Sequence, residues 1–153
     1  MRQGRVISVF LISLALVVCA AAKEETVESL KAHFEQARPE DRPTLAIQIA
    51  EHQLRNADKL YIDGKAEEGR AAVAEVVAYC GKARDAATES KKHIKNVEID
   101  VRKIADRLRD IKRTLAFEDQ PPVDQAIRSL EDIRTQLLDE MFGKGNKNKK
   151  EKK

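Results

Sequence analysis

Residues 73–115 read VAEVVAYCGKARDAATESKKHIKNVEIDVRKIADRLRDIKRTL, and apolar or small side chains recur along them at alternating intervals of three and four. The series is Val73, Val76, Cys80, Ala83, Ala87, Ser90, Ile94, Val97, Val101, Ile104, Leu108, Ile111 and Leu115, with Ser90 its one clearly polar member. Such spacing puts every member on one stripe of an α-helix and leaves the charged residues between them on the outer faces. Neither proline nor glycine occurs between Lys82 and Gln120. The stretch therefore predicts one long helix over about residues 65–117, roughly 75 Å at 1.5 Å per residue, with a break near Ser90 as the alternative. Charge pairs such as Glu98 with Arg102 and Asp106 with Arg109 suit its solvated faces.

Breakers and apolar spacing place three shorter helices around this one. Thr26 is a candidate N-cap for a helix over 26–37 with Val27, Leu30, Phe34 and Ala37 on one face, stopped by Pro39. A second, over about 42–62, carries Ile47, Ala50, Leu54, Ala57 and Tyr61 and ends at Asp63-Gly64, where glycine accepts a left-handed backbone. Glu67 and Glu68 then sit in the first turn of the long helix, facing the positive end of its dipole. Pro121-Pro122 forces a break, and Val123, Ala126, Leu130, Ile133 and Leu137 line a last helix over about 121–142, closed by Gly143. The Lys, Asn and Gly composition of residues 144–153 predicts a disordered basic tail.

The lengths say how the seam is covered. A strict seven-residue repeat drifts by about 20° per heptad on a straight helix, so one straight partner cannot follow it from end to end. The short links on either side make the second and fourth helices fold back antiparallel, one on each half of the long helix. The expected fold is all-α: an elongated helical bundle of two antiparallel hairpins sharing one long central helix, with a short N-terminal helix and a disordered tail. Ala83, Ala87 and Ser90 mark the crossover between the two partners. A homomeric coiled coil is the competing reading, and it makes Cys80 a candidate intermolecular thiol beside its symmetry mate. Packing within one chain is favoured, because the short helices have apolar faces of their own to bury; a monomer is expected and a homodimer is the alternative.

Residues 57–77, with Ala57, Tyr61, Gly64, Lys65, Glu67, Glu68 and Val73, resemble the turn between the paired helices of a tetratricopeptide repeat. Gly69 stands where that motif usually carries alanine, and no second copy follows at the 34-residue period. The resemblance implies a helical hairpin with a groove; no peptide-binding residues carry over.

The first 22 residues read as a secretory signal peptide: Arg2 and Arg5 form a positive n-region, Val6–Val18 is almost wholly apolar, and Ala20 and Ala22 offer small residues for cleavage near Ala22. A lipoprotein signal at Cys19 and an uncleaved N-terminal anchor are the weaker alternatives, the first because bulky Val18 precedes the cysteine. The expected location is periplasmic or secreted, and the expected mature body is a single helical domain over 23–143. Whole-chain charge is 29 basic against 26 acidic residues. Removing Arg2 and Arg5 leaves about +1, and the tail holds about +5 of charge, so the body is acidic at about −4. With Cys19 gone, Cys80 alone remains and no intramolecular disulfide forms; besides the thiol reading above, it suits a small buried hydrophobe.

Residues that carry catalysis are sparse. His33, His52 and His93 fall on different predicted segments, and no HExxH, CxxC or CxxCH motif occurs. Glu89 and His93 share a helix face by spacing, and charge pairing is the simpler role for them. Gly143 and Gly145 precede lysines rather than opening a phosphate-binding helix. No enzyme, cofactor, metal or small-molecule substrate is therefore expected. The candidate binding chemistry is the tail, where Lys144, Lys147, Lys149, Lys150, Lys152 and Lys153 offer contacts to an anionic envelope surface. No aromatic residue is interleaved with them to stack on bases, which disfavours nucleic acid. The expected function is a non-enzymatic interaction or scaffold protein of the cell envelope, with a small periplasmic helical chaperone or envelope-stress protein as the alternative.

Overall fold

A computed structural model describes residues 26–150, with side-chain surroundings described as far as Gly143. The leader read over 1–22 and the candidate contacts Lys152 and Lys153 lie outside the described residues. Five α-helices follow one another: α1 (Val27–Gln36), α2 (Arg42–Ile62), α3 (Ala66–Ser90), α4 (Ile94–Thr114) and α5 (Gln120–Lys150), with one 3-10 turn at Phe117–Asp119 before α5. Over the described residues the fold is an all-α bundle.

Local chemistry explains most of these boundaries. The Thr26 side chain accepts from the backbone N–H of Ser29 at 3.2 Å, capping α1. Pro43 occupies the first turn of α2, where its missing N–H costs nothing. At the other end of α2, Gly64 adopts φ 74°, with Gly64 N donating to Tyr61 O and Lys65 N to Leu60 O. That pair of bonds is a Schellman closure, and it turns the chain straight into α3. Pro121 and Pro122 sit in the first turn of α5, likewise where backbone donors have no helical partner.

The predicted central helix is two helices. It breaks at Lys91–His93, where Lys91 (φ 58°) and His93 (φ 63°) both take left-handed backbone. Neither residue is glycine, so each costs about 1–3 kcal/mol, which the surrounding packing must offset. Folding the seam in two lets its halves share one core. Ser90 donates to Ala86 O at 2.7 Å and accepts from Lys92 N at 3.4 Å, so the polar member of the seam closes α3. The small residues expected to mark a crossover instead lead into this bend. Of the tail read over 144–153, residues 144–150 continue α5 as helix, and residues 151–153 lie outside the described residues.

The two hairpins are as expected, α2 against α3 and α4 against α5. Cross-links between side chains show how they stack. Lys92–Glu40 and Arg107–Asp58 tie the starts and ends of α4 and α2 together, so these helices run parallel. Arg70–Asp119, Arg84–Gln136 and Lys91–Glu140 do the same for α3 and α5. Two antiparallel hairpins thus lie one on the other. Their shared core takes in Val73, Val76, Val101, Leu108, Val123, Leu130 and Leu137, all at most 2 % exposed. Of the thirteen seam residues only Ser90, Ile94 and Leu115 are less than buried. α1 docks through Leu30 and Phe34, with the Phe34 ring edge-on to Tyr79 at 6.1 Å.

Pairing across the bundle revises one sequence expectation. Arg109 bonds Asp106 at 2.6 Å as anticipated, but Glu98, 7 % exposed, accepts from Arg134 of α5 at 2.6 Å instead of pairing along its own helix with Arg102. The first hairpin turn is also close-packed. A Cβ on Gly69 would lie 3.0 Å from the Tyr61 ring, so any larger residue there requires the ring to give by a few tenths of an ångström. Gly69→Leu is expected to destabilise by about 1–3 kcal/mol through overpacking, read as a lower urea midpoint. Adding Tyr61→Ala should recover part of that loss, and no recovery would place the strain elsewhere.

Candidate functional site

The α2–α3 turn and the α4–α5 link lie at the same end of the bundle, joined by Arg70, whose Nη2 donates to Asp119 at 2.9 Å and whose Nη1 donates to Glu67 at 2.9 Å. Two large apolar side chains stand out in solvent at this end. Ile62, the last residue of α2, is 78 % exposed and Phe117, in the 3-10 turn, is 84 % exposed. Burying either would be worth roughly 1.5–3 kcal/mol. Phe142, 68 % exposed, lies at the far end of the described side chains of α5.

Beside this end a groove of about 290 Å³ runs between α3 and α5. Val73, Ala74, Val77, Pro122 and Ala126 give it an apolar floor, and Arg70, Gln125 and Ser129 supply its polar groups. Its volume is at the lower limit of small-molecule sites, which run from roughly 300 to 1,000 Å³. One or two inserted apolar side chains suit it better than an enclosed ligand. Two buried polar atoms at this end of the bundle, Tyr61 Oη and Arg70 Nε, have no hydrogen-bond partner among the described residues. Burial pushes the Tyr61 hydroxyl pKa up, the nearby Arg70 charge opposing it in part.

Other surfaces are dominated by paired charge. The groove between α4 and α5 is lined by Arg109, Lys112, Arg113, Gln120, Asp124 and Ile127, and within it Lys112 donates to Asp124 at 2.7 Å. Phe34 and Tyr79 carry cations on their faces, with Lys82 Nζ 4.4 Å from the Tyr79 ring centre.

The residues singled out from sequence are not brought together. Cys80 is fully buried in the core of its own chain, and burial first, then the charge of Glu51, pushes its thiol pKa up to about 12. Its burial within its own chain fits the small buried hydrophobe. Glu89 and His93 do not share a helix face, because His93 lies in the bend after α3. Among the described residues no group of three or more His, Cys, Asp or Glu side chains is placed to hold a metal ion. Lys144, Lys147, Lys149 and Lys150 fall on the continued α5 backbone, at the opposite end from Phe117. No described helix is long and apolar enough to cross a membrane.

Phe117 and Ile62 were not legible as site residues. Their signal was weak but present: Phe117 is an apolar residue between two helix ends that belongs to no stripe. Among the described residues, fold and surface define a five-helix bundle with two exposed apolar side chains at one end. The chain matches no protein-family model, no curated protein and no solved structure.

Proposed function

We propose that this chain is a non-enzymatic interaction protein of the cell envelope, which binds a partner protein through the end of the bundle that carries Ile62 and Phe117. The observation that supports this most is the exposure of those two side chains beside the α3–α5 groove, at 78 % and 84 %. Exposed apolar anchors next to a pocket are where partner side chains gain most on docking. The envelope location rests on the apolar leader read over residues 1–22. The chaperone reading requires a broad concave apolar cradle; the large exposed apolar residues among those described are Ile62, Phe117 and Phe142, the last away from the groove. That distribution favours a focused docking site.

Site-specific photo-crosslinking tests the reading. A photoreactive residue at position 117 is expected to give a small number of discrete adducts in cells, whereas one at exposed Lys103 on the charged outer face of α4 gives none. Phe117→Ser should weaken capture from position 62 at least fivefold while leaving the unfolding midpoint unchanged, since Phe117 packs on little. Equal adduct patterns at 117 and 103 would contradict the proposal.

A further inference from the structure

The bend at Lys91–His93 interrupts a sequence that is built to be continuous. Ser90 and Ile94 are four residues apart, the interval the seam itself uses, so straightening the bend would carry the stripe from α3 into α4 in phase. Lys91 and Lys92 are ordinary helix formers, and no glycine or proline stands nearby to stop the helix. The bend instead uses two left-handed non-glycine residues and is held by side-chain links to other elements, Lys91 to Glu140 at 2.9 Å and Lys92 to Glu40. A short, strained hinge of this kind is the known physical setting for exchange of elements between copies.

We propose that the chain forms a hinge-exchanged dimer, in which Lys91–His93 straightens and α3 and α4 become one helix of about 73 Å. The α4–α5 hairpin of one copy then packs on the α2–α3 hairpin of the other. The partner is a second copy because one core cluster spans both hairpins, with Val73 and Val76 on one and Val101 and Leu108 on the other, and the complementary hairpin is the surface that restores its existing contacts. The exchange relieves both left-handed residues and loses no core contact. It differs from a dimer zipped along the seam, since Cys80 stays inside the α2–α3 hairpin and forms no cross-link.

Refolding at increasing protein concentration tests this, because it lets chains exchange hairpins before they close. Light scattering on the wild type should show a dimer fraction that rises with concentration. Lys91→Gly with His93→Gly, which makes the bend free of strain, should lower that fraction at least tenfold. Alanine at 91, 92 and 93 should raise it at least tenfold. Because this variant also removes the links to Glu140 and Glu40, Glu40→Gln with Glu140→Gln is measured beside it; a rise of the same size in that control would assign the effect to the lost links and overturn the hinge account. In the isolated dimer, spin labels at 68 and 113 of one chain, diluted with unlabelled protein, should lie about 68 Å apart, as 45 residues of continuous helix require. Monomers only in every form, or a dimer in which the two labels stay close, would overturn the proposal.

Discussion

Leu108→Asp is expected to abolish cooperative folding. Leu108 is fully buried where α4 meets α5 and the stacked α2–α3 hairpin. Removing it forfeits about 2–5 kcal/mol of packing, and the carboxylate put in its place carries a further penalty of several kcal/mol because nothing nearby neutralises it. A domain of this size has only about 5–15 kcal/mol to lose. Far-UV circular dichroism with urea should show no sigmoidal transition, while Arg102→Asp on the exposed face of the same helix stays within about 1 kcal/mol of wild type. A Leu108→Asp protein with a near-native midpoint would mean that the seam does not face the core.

Cys80 governs the second large effect. Burial, and after it the charge of Glu51, disfavours the thiolate in the folded chain and pushes the thiol pKa from its ordinary value of 9.0 up to about 12. The folded state therefore holds the proton more tightly than the unfolded state. The resulting stability is fully present below pH 9 and is lost as pH rises from about 9 to about 12, amounting to about 4 kcal/mol. Tyr61, whose pKa is also raised by burial, acts in the same direction. Urea midpoints should fall steeply across this alkaline window in the wild type and less steeply in Cys80→Val. At pH 8 the native thiol should react with an aromatic disulfide reagent at least a thousandfold more slowly than after unfolding, since only opening exposes it. Fast labelling of the native chain would contradict the buried placement.

Much of the architecture was legible because the breakers are chemically explicit. Pro39, Gly64 and the Pro121-Pro122 pair each forbid or redirect helix at a defined place, and the apolar faces of α2 and α5 were readable from spacing alone. The bend at Lys91–His93 was legible only as an open alternative at Ser90, the one polar member of the seam. Periodicity reports which residues share a stripe, and it has the same value for a straight helix and for two helices folded at a point that keeps the phase. Tertiary burial decided between them, overriding the helical preference of the two lysines. Glu98 shows the same limit at the level of one side chain: its neighbour by spacing was Arg102, but its buried position selects Arg134, far along the chain. The apolar end was illegible for a related reason. Nothing in the residues around Ile62 and Phe117 says that two separate turns meet, which the parallel stacking of the hairpins brings about. The lysines chosen as candidate contacts reflect composition, a signal that carries charge and no geometry.

The stacked pair of hairpins, with the seam folded back on itself, is tested most directly by one intramolecular distance. Spin labels at positions 68 and 113, in a Cys80→Ala background and in dilute monomeric protein, report on whether the starts of α3 and the end of α4 share one end of the bundle. With helices packed at 8–10 Å spacing, the labels should lie below roughly 30 Å apart. A separation of about 68 Å in the monomer, the length of an unbroken helix between them, would contradict the fold.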